Sequence, residues 1–412
     1  MHLYEIPLSF ALIGLALYTV LAGADFGAGL WQLFAGSGPE ATRLRDHAHH
    51  SMAAVWEANH VWLIFVLTVV WTTYPTAFGS IASTLEIPLF LAALGIILRG
   101  TAYALRAGTS TRHELRLIDS ISGVASILTP FSLGAAVGAI ASRRVPVGNA
   151  AGHLFSSWLN PTSIVIGVLA VVSSAYLAAI FLAADASRSQ DPSSLQQRFR
   201  TRGMLTGILS GAIALAGLAI LHSDAHPLYH RLLNGGALAV VLVSMLAGIA
   251  TLTLLWRQRY EASRYTAAIA VAATIAGWAL AQQPTFLPGL SIRQAAAPHD
   301  VLVAVTVAVI AGGAILFPSL GLLFRLLLHG QLDHSSNEQG PVARIRQPHF
   351  AAGSILARLA VACLILGIGL LTAADALWAH IIGVTALIGF VALSFVGLII
   401  PELSLTEKDQ NG

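Results

Sequence analysis

The chain has 412 residues, of which 56% are hydrophobic and only 10% charged; soluble domains carry roughly 25% charged residues, so a soluble globular protein is excluded and a polytopic membrane protein is predicted. Of its 22 basic residues 21 are arginines scattered among short connections, so the net charge of +3 reads as membrane topology and not as a nucleic-acid-binding face. The lone cysteine, Cys363, excludes an internal disulfide and any multi-cysteine metal site.

A window of about 20 residues predicts an all-α chain of about eleven spans. In chain order these lie near 6–34, 51–73, 78–104, 119–142, 158–184, 203–222, 235–256, 265–283, 300–327, 355–374 and 377–400. No basic residue precedes the first apolar segment, and it is longer than the apolar core of a cleavable leader, so it reads as a retained helix. The connection from His329 to Phe350 is polar and contains Gly340 and Pro341, which predicts a linker. The expected organisation is therefore a membrane domain over 1–328, a polar linker over 329–350, and an additional C-terminal helix pair and tail over 351–412. Asp375 would sit at the tip of that pair.

Arginine placement orients the chain. The connections after spans one, three, five, seven and nine carry Arg43 and Arg45, Arg106 to Arg116, Arg188 to Arg202, Arg257 to Arg264, and Arg344 and Arg346. The alternate connections hold Arg143, Arg144, Arg231 and Arg293. The positive-inside rule then puts the N-terminus outside and the tail with Lys408 in the cytoplasm of a bacterial or archaeal inner membrane.

Within this frame the stretch WEANHVW at 56–62 is unexpected, because it sets a carboxylate, an amide and an imidazole in an apolar span. Asp25 lies nine residues, about 13 Å, short of the cytoplasmic end of span one. Glu57 comes six residues, about 9 Å, into span two, so both carboxylates reach a similar cytoplasmic depth. An intramembrane carboxylate costs roughly 2.5 kcal/mol or more, and it normally faces water or a protein interior. The pair suits proton uptake from the cytoplasm, and Asn59 and His60, within a turn of Glu57, would extend a hydrogen-bonded path. The plainer reading is that Asp25 and Glu57 are only structural hydrogen-bond acceptors. Arg99 is a candidate counter-ion for either, and Glu86, nearer the outside of span three, either joins a polar path or bonds across helices.

Other features carry less. In GADFGAG, residues 23–29, Gly23 and Gly27 form a small-xxx-small pattern that favours close helix packing. Trp56, Trp62 and Trp71 read as packing or interface residues, with the lining of an apolar gas route as the sharper alternative. Of 15 histidines only His60 and His380 lie well inside predicted spans, so no haem is expected on this chain alone. Asp46, His47, His49 and His50 cluster in a connection without a standard zinc spacing, and they read as solvated.

GADFGAG, then WEANHVWLIF, then a third span ending ILRG, resembles subunit II of the cytochrome bd quinol oxidases. The resemblance continues through PFSLGAAVGAIASRRVP at 130–146, AYLAAIFLAADA at 175–186, GWALAQQP at 277–284 and LFPSLGLLFR at 316–325, covering about residues 1–328 in order. It implies two four-helix bundles plus a peripheral helix, paired with a haem-bearing subunit I. That partner would hold haem b and haem d and oxidise quinol while oxygen is reduced to water. Small accessory subunits and a structural quinone would be compatible with it. The resemblance further associates the position of Glu57 with a proton pathway, sets Asp25 beside it, and links Trp62 to oxygen access. No catalytic residue is expected in this chain itself. Glu57 and His60 stand where aspartate and glutamine are usual, Ala104 replaces an acidic residue, and Glu86 an uncharged one. The helices after 350 extend beyond the usual chain. A proton-coupled secondary transporter is the alternative from a different class.

Overall fold

The computed structural model describes residues 2–109, 112–188, 193–328, 355–373, 376 and 378–393. The chain divides into two compact units, Met1–Ser319 and Leu320–Gly412. Helices α1 (Ile6–Leu33), α2 (Pro39–Thr73), α3 (Pro75–Thr84), α4 (Glu86–Gly108) and α5 (Arg112–Ala141) are followed by α6 (Pro161–Ala186), α7 (Ser193–Asp224), α8 (His226–Leu232), α9 (Gly235–Trp256) and α10 (Tyr260–Gln282). A two-stranded antiparallel ribbon, β1 (Thr285–Leu287) and β2 (Leu290–Ser291), and a short α11 (Ile292–Ala295) lead into α12 (His299–Leu328).

Prolines punctuate these helices. Pro7, Pro39, Pro75, Pro161 and Pro227 occupy the first two helical positions, where a missing N–H forfeits no intrahelical bond. Asn160 caps α6 by accepting from the Ser163 amide at 3.0 Å. The expected single span over 78–104 is divided: α3 stops at Thr84 and α4 starts at Glu86. Pro88 explains the break, since it has no N–H and its ring clashes with the carbonyl four residues earlier, that of Thr84. The expected start of span two at 51 also shifts, because the polar run from Glu40 to His50 continues the helix back to Pro39. A hydropathy window cannot see a polar helix.

Helices α1 to α5 and α6 to α10 repeat one plan. In each half the first helix packs on the second and fifth, the fourth packs on the fifth, and a short helix follows the second. The joints match in detail: Tyr74 has φ −136°, ψ 58°, and Ala225 has φ −136°, ψ 49°. The four long helices α1, α2, α4 and α5 form one group, and α6, α7, α9 and α10 form the other, joined mainly through α1 and α5 against α6. The α1–α6 seam is built from small residues. A Cβ on Gly27 would overlap the Ser174 carbonyl, whereas one on Gly23 would sit 3.2 Å from Leu177 Cδ1. Such residues let membrane helices approach closely.

Among the described residues eight helices are long and apolar enough to cross a membrane, and three shorter apolar helices cover Asn59–Thr73, Arg358–Leu370 and Trp378–Leu393. In the second unit α13 (Ile355–Ala373) packs on α14 (Trp378–Leu393): Gly367 faces Leu387, and Gly389 faces Cys363. The expected linker 329–350 and Asp375 lie outside the described residues.

Candidate functional site

Asp25 projects from α1 into the first helix group and is fully buried, as is Arg99 of α4. The guanidinium meets the carboxylate side-on: Nε donates to Oδ2 at 2.8 Å and Nη2 to Oδ1 at 2.6 Å. Nη2 also donates to the Asp25 carbonyl at 2.5 Å. Nη1 donates to Ser126 Oγ at 2.7 Å and Ser122 Oγ at 3.1 Å, both on α5. All five N–H donors of the arginine are thereby used. Tyr103, one turn beyond Arg99, donates its hydroxyl to Asp25 Oδ1 at 3.1 Å. The rings of Phe26 and Tyr103 lie 5.4 and 5.2 Å from the guanidinium carbon, a cation–π arrangement.

The sequence builds this locally. Arg99 and Tyr103 are spaced i, i+4 on α4, and Ser122 and Ser126 i, i+4 on α5, so each pair shares a helix face. Gly29 supplies the space, because a Cβ there would collide with Arg99 Nη1 and Ser126 Oγ. Neither a lone buried carboxylate nor a lone buried guanidinium is affordable in an apolar interior, and bidentate pairing with full hydrogen bonding offsets the desolvation of both.

A second charged layer closes this end of the bundle. Arg106, seven residues and about 10 Å along α4 from Arg99, bridges Asp119 of α5 and Asp46 of α2, the latter at 3.2 Å. Arg45 caps the end of α1, with Nη2 on the Gly36 carbonyl at 2.6 Å and Nε on the Gln32 carbonyl at 3.3 Å. His49 stacks on Tyr103 with ring centroids 5.0 Å apart. Burial pushes the His49 pKa below the ordinary imidazole range, reinforced by Arg106 and His50 and opposed by Asp119. The cluster noted in the sequence disperses: His47 contacts the Leu182 carbonyl at 3.2 Å and His50 the Asp46 carbonyl at 2.7 Å.

Glu57 lies on the α2 helix, and its side chain, with those of residues 53–58, is outside the described part of the structure. Asn59 is fully buried, and neither its amide nitrogen nor its oxygen has a hydrogen-bond partner among the described residues. The buried Tyr18 hydroxyl is in the same condition. Gly14 packs against Phe65 and Val66, which fixes the antiparallel register of α1 and α2 and sets Tyr18 opposite Trp62. Tyr18 and Asn59 therefore lie about one helical turn apart on facing helices. His60 and Trp62 are half-buried, and Trp62 packs with Tyr18, Ala22 and Phe26.

Glu86 is not brought to this site. It is exposed in the first turn of α4, thirteen residues and about 20 Å before Arg99, where it complements the helix dipole. Tyr103, Ser122, Ser126 and Tyr18 escaped sequence reading. The signal for the first three was the i, i+4 spacing of polar residues in apolar helices. Tyr18 carried no comparable signal.

The comparisons with known proteins agree with one another. The family model described as cytochrome bd terminal oxidase subunit II matches residues 3–327. A Bacillus subtilis (strain 168) protein provisionally assigned as cytochrome bd menaquinol oxidase subunit II is 24% identical over 238 residues, 57% of this chain and 67% of the relative. Cytochrome bd ubiquinol oxidase subunit 2 of the same organism is 26% identical over 151 residues, 36% of this chain and 43% of the relative. In the solved bd oxidase from Geobacillus thermodenitrificans, one chain superposes with a TM-score of 0.63 at 25% identity, covering 80% of this chain and 99% of that one.

Proposed function

Because the chain belongs to the cytochrome bd terminal oxidase subunit II family, we propose that it is the subunit that supports a haem-bearing subunit I and conducts protons to it from the cytoplasm. The complex would oxidise quinol and reduce oxygen to water, with haem b and haem d in the partner. The haems supply the oxygen chemistry, and this chain's part is to hold and move protons.

Proton uptake is assigned to α2. Glu57 would take up the proton, with the Asn59 amide, His60 and the Tyr18 hydroxyl continuing the path along the α1–α2 seam. The observation that carries this reading is that the buried Asn59 amide and Tyr18 hydroxyl, about one helical turn apart on packed helices, have no hydrogen-bond partner among the described residues. Buried polar groups are nearly always paired, and exceptions cluster where they serve a purpose. Asp25 has a different part. Bonded bidentately to the fully buried Arg99 guanidinium, it would anchor the entrance to the path. Trp62, packed beside Tyr18 and Phe26, would line an apolar approach for oxygen.

The test is Glu57→Gln in the complex purified with its partner. Haem content should be unchanged and quinol-dependent oxygen uptake should fall at least about tenfold, a barrier increase of about 1.4 kcal/mol. Full turnover in this variant would remove Glu57 from the path.

A further inference from the structure

The end of the bundle opposite Asp25 carries a histidine cluster that oxidase function does not use. Arg144 and Thr162 both bind Asp224 at the end of α7, which ties that end to the finish of α5 and the start of α6. There His222, His226 and His230 follow at intervals of four across the α7–α8 joint. His226 Nδ1 lies 3.0 Å from the His222 carbonyl, one of the terminal carbonyls that α7 leaves open by stopping at Asp224. A carbonyl can only accept, so Nδ1 carries the hydrogen and, in the neutral ring, Nε2 presents its lone pair. That Nε2 is 3.0 Å from Nε2 of His230, with the rings at 87°. Both rings are exposed.

We propose that His226 and His230 form a two-histidine chelate for a divalent transition-metal ion such as Zn2+. Two metal–nitrogen bonds of about 2.0–2.1 Å span about 2.9 Å at a right angle and about 3.3 Å at the tetrahedral angle, which brackets the observed separation of 3.0 Å. A second ring nitrogen tied to a backbone carbonyl is also the outer-shell arrangement that orients metal-binding histidines and fixes their tautomer. His222 supplies that carbonyl, while its ring packs edge-on against His226 and Tyr229, 5.2 and 5.0 Å away. Among the described residues no third histidine, cysteine or carboxylate converges on the pair. Water therefore completes the coordination, which makes the site open and exchangeable. Imidazole donors suit zinc, nickel and copper and disfavour magnesium and calcium. This assignment is independent of the oxidase reading.

The experiment titrates Zn2+ into the full chain in detergent, purified through a tag free of histidine, in competition with a chromophoric chelator. The chain should show one site whose affinity falls at least tenfold in His226→Ala and in His230→Ala, while His222→Ala retains it. His230→Gln, which keeps a polar side chain, guards against loss through misfolding and should also lose the site. Equal zinc affinity in the parent chain and the His226→Ala/His230→Ala double variant would overturn the assignment and leave a simple imidazole–imidazole hydrogen bond.

Discussion

Replacing Asp25 by asparagine isolates the central pair. The change keeps shape and removes one charge, leaving Arg99 fully buried with its two bidentate donors facing a neutral amide. Breaking a buried pair from one side costs about 3–5 kcal/mol, whereas exchanging both partners for apolar or neutral groups of similar volume is often neutral or stabilising. Against a total stability of about 5–15 kcal/mol the single change is severe. Asp25→Asn and Arg99→Met should each lower the unfolding midpoint by several degrees in detergent, and the double variant should recover most of the loss. The coupling in this cycle should exceed about 3 kcal/mol, the upper end usual for contacting residues, because two losses of about 3–5 kcal/mol each nearly cancel in the double variant. Turnover per assembled complex should survive in the double variant. Additive losses would refute the pairing argument. A double variant that is stable and holds its haems but cannot reduce oxygen would instead make Asp25 a proton carrier.

Other outcomes follow from the packing and the charged layer. Gly27→Ala puts a methyl into the Ser174 backbone, which cannot rotate away, and should cost about 1–3 kcal/mol or more. Gly23→Ala meets only the end of the Leu177 side chain and should lie within about 0.5 kcal/mol of the parent; thermal unfolding of the two variants side by side separates them. For His49 the folded-state pKa is below the unfolded one, so the unfolded chain binds more protons as pH falls. Stability should therefore decline as pH drops through about 6.5, and His49→Phe, which keeps the stack on Tyr103, should flatten that part of the pH profile.

The membrane class, the helical segments and the family were legible because they rest on side-chain transfer energies and local motifs, both of which survive in a linear chain. The break at Leu85 was only half legible: Pro88 was visible, but a hydropathy window averages over it. The two four-helix groups were legible through the family resemblance, but their repetition of one plan was not, since matching joints such as Tyr74 and Ala225 share torsion angles and not residue types. The depth argument put Asp25 and Glu57 at one level but could not say which of them Arg99 would meet. Depth is a one-dimensional quantity, whereas partnership depends on rotation about the helix axis. Gly29 leaves the space on α1 in which the guanidinium fits beside Ser126.

That outcome separates two uses of polarity inside one membrane bundle. Around Arg99 every N–H donor has an acceptor, and the carboxylate it faces has a tyrosine hydroxyl as well. A network closed in this way resists proton exchange, because moving one proton breaks several bonds at once. A turn or two away, the Asn59 amide and the Tyr18 hydroxyl are also buried and have no such partners among the described residues. Leaving them so costs about 1–3 kcal/mol apiece, which a purely architectural seam would remove by substituting leucine or phenylalanine. The satisfied cluster thus accounts for how α1, α4 and α5 hold together, and the unsatisfied seam would give α2 the polar capacity that the proposed path needs. If that division is right, Asn59→Leu will stabilise the complex while slowing oxygen uptake, and an Asn59→Leu variant that is both less stable and fully active would reverse the assignment.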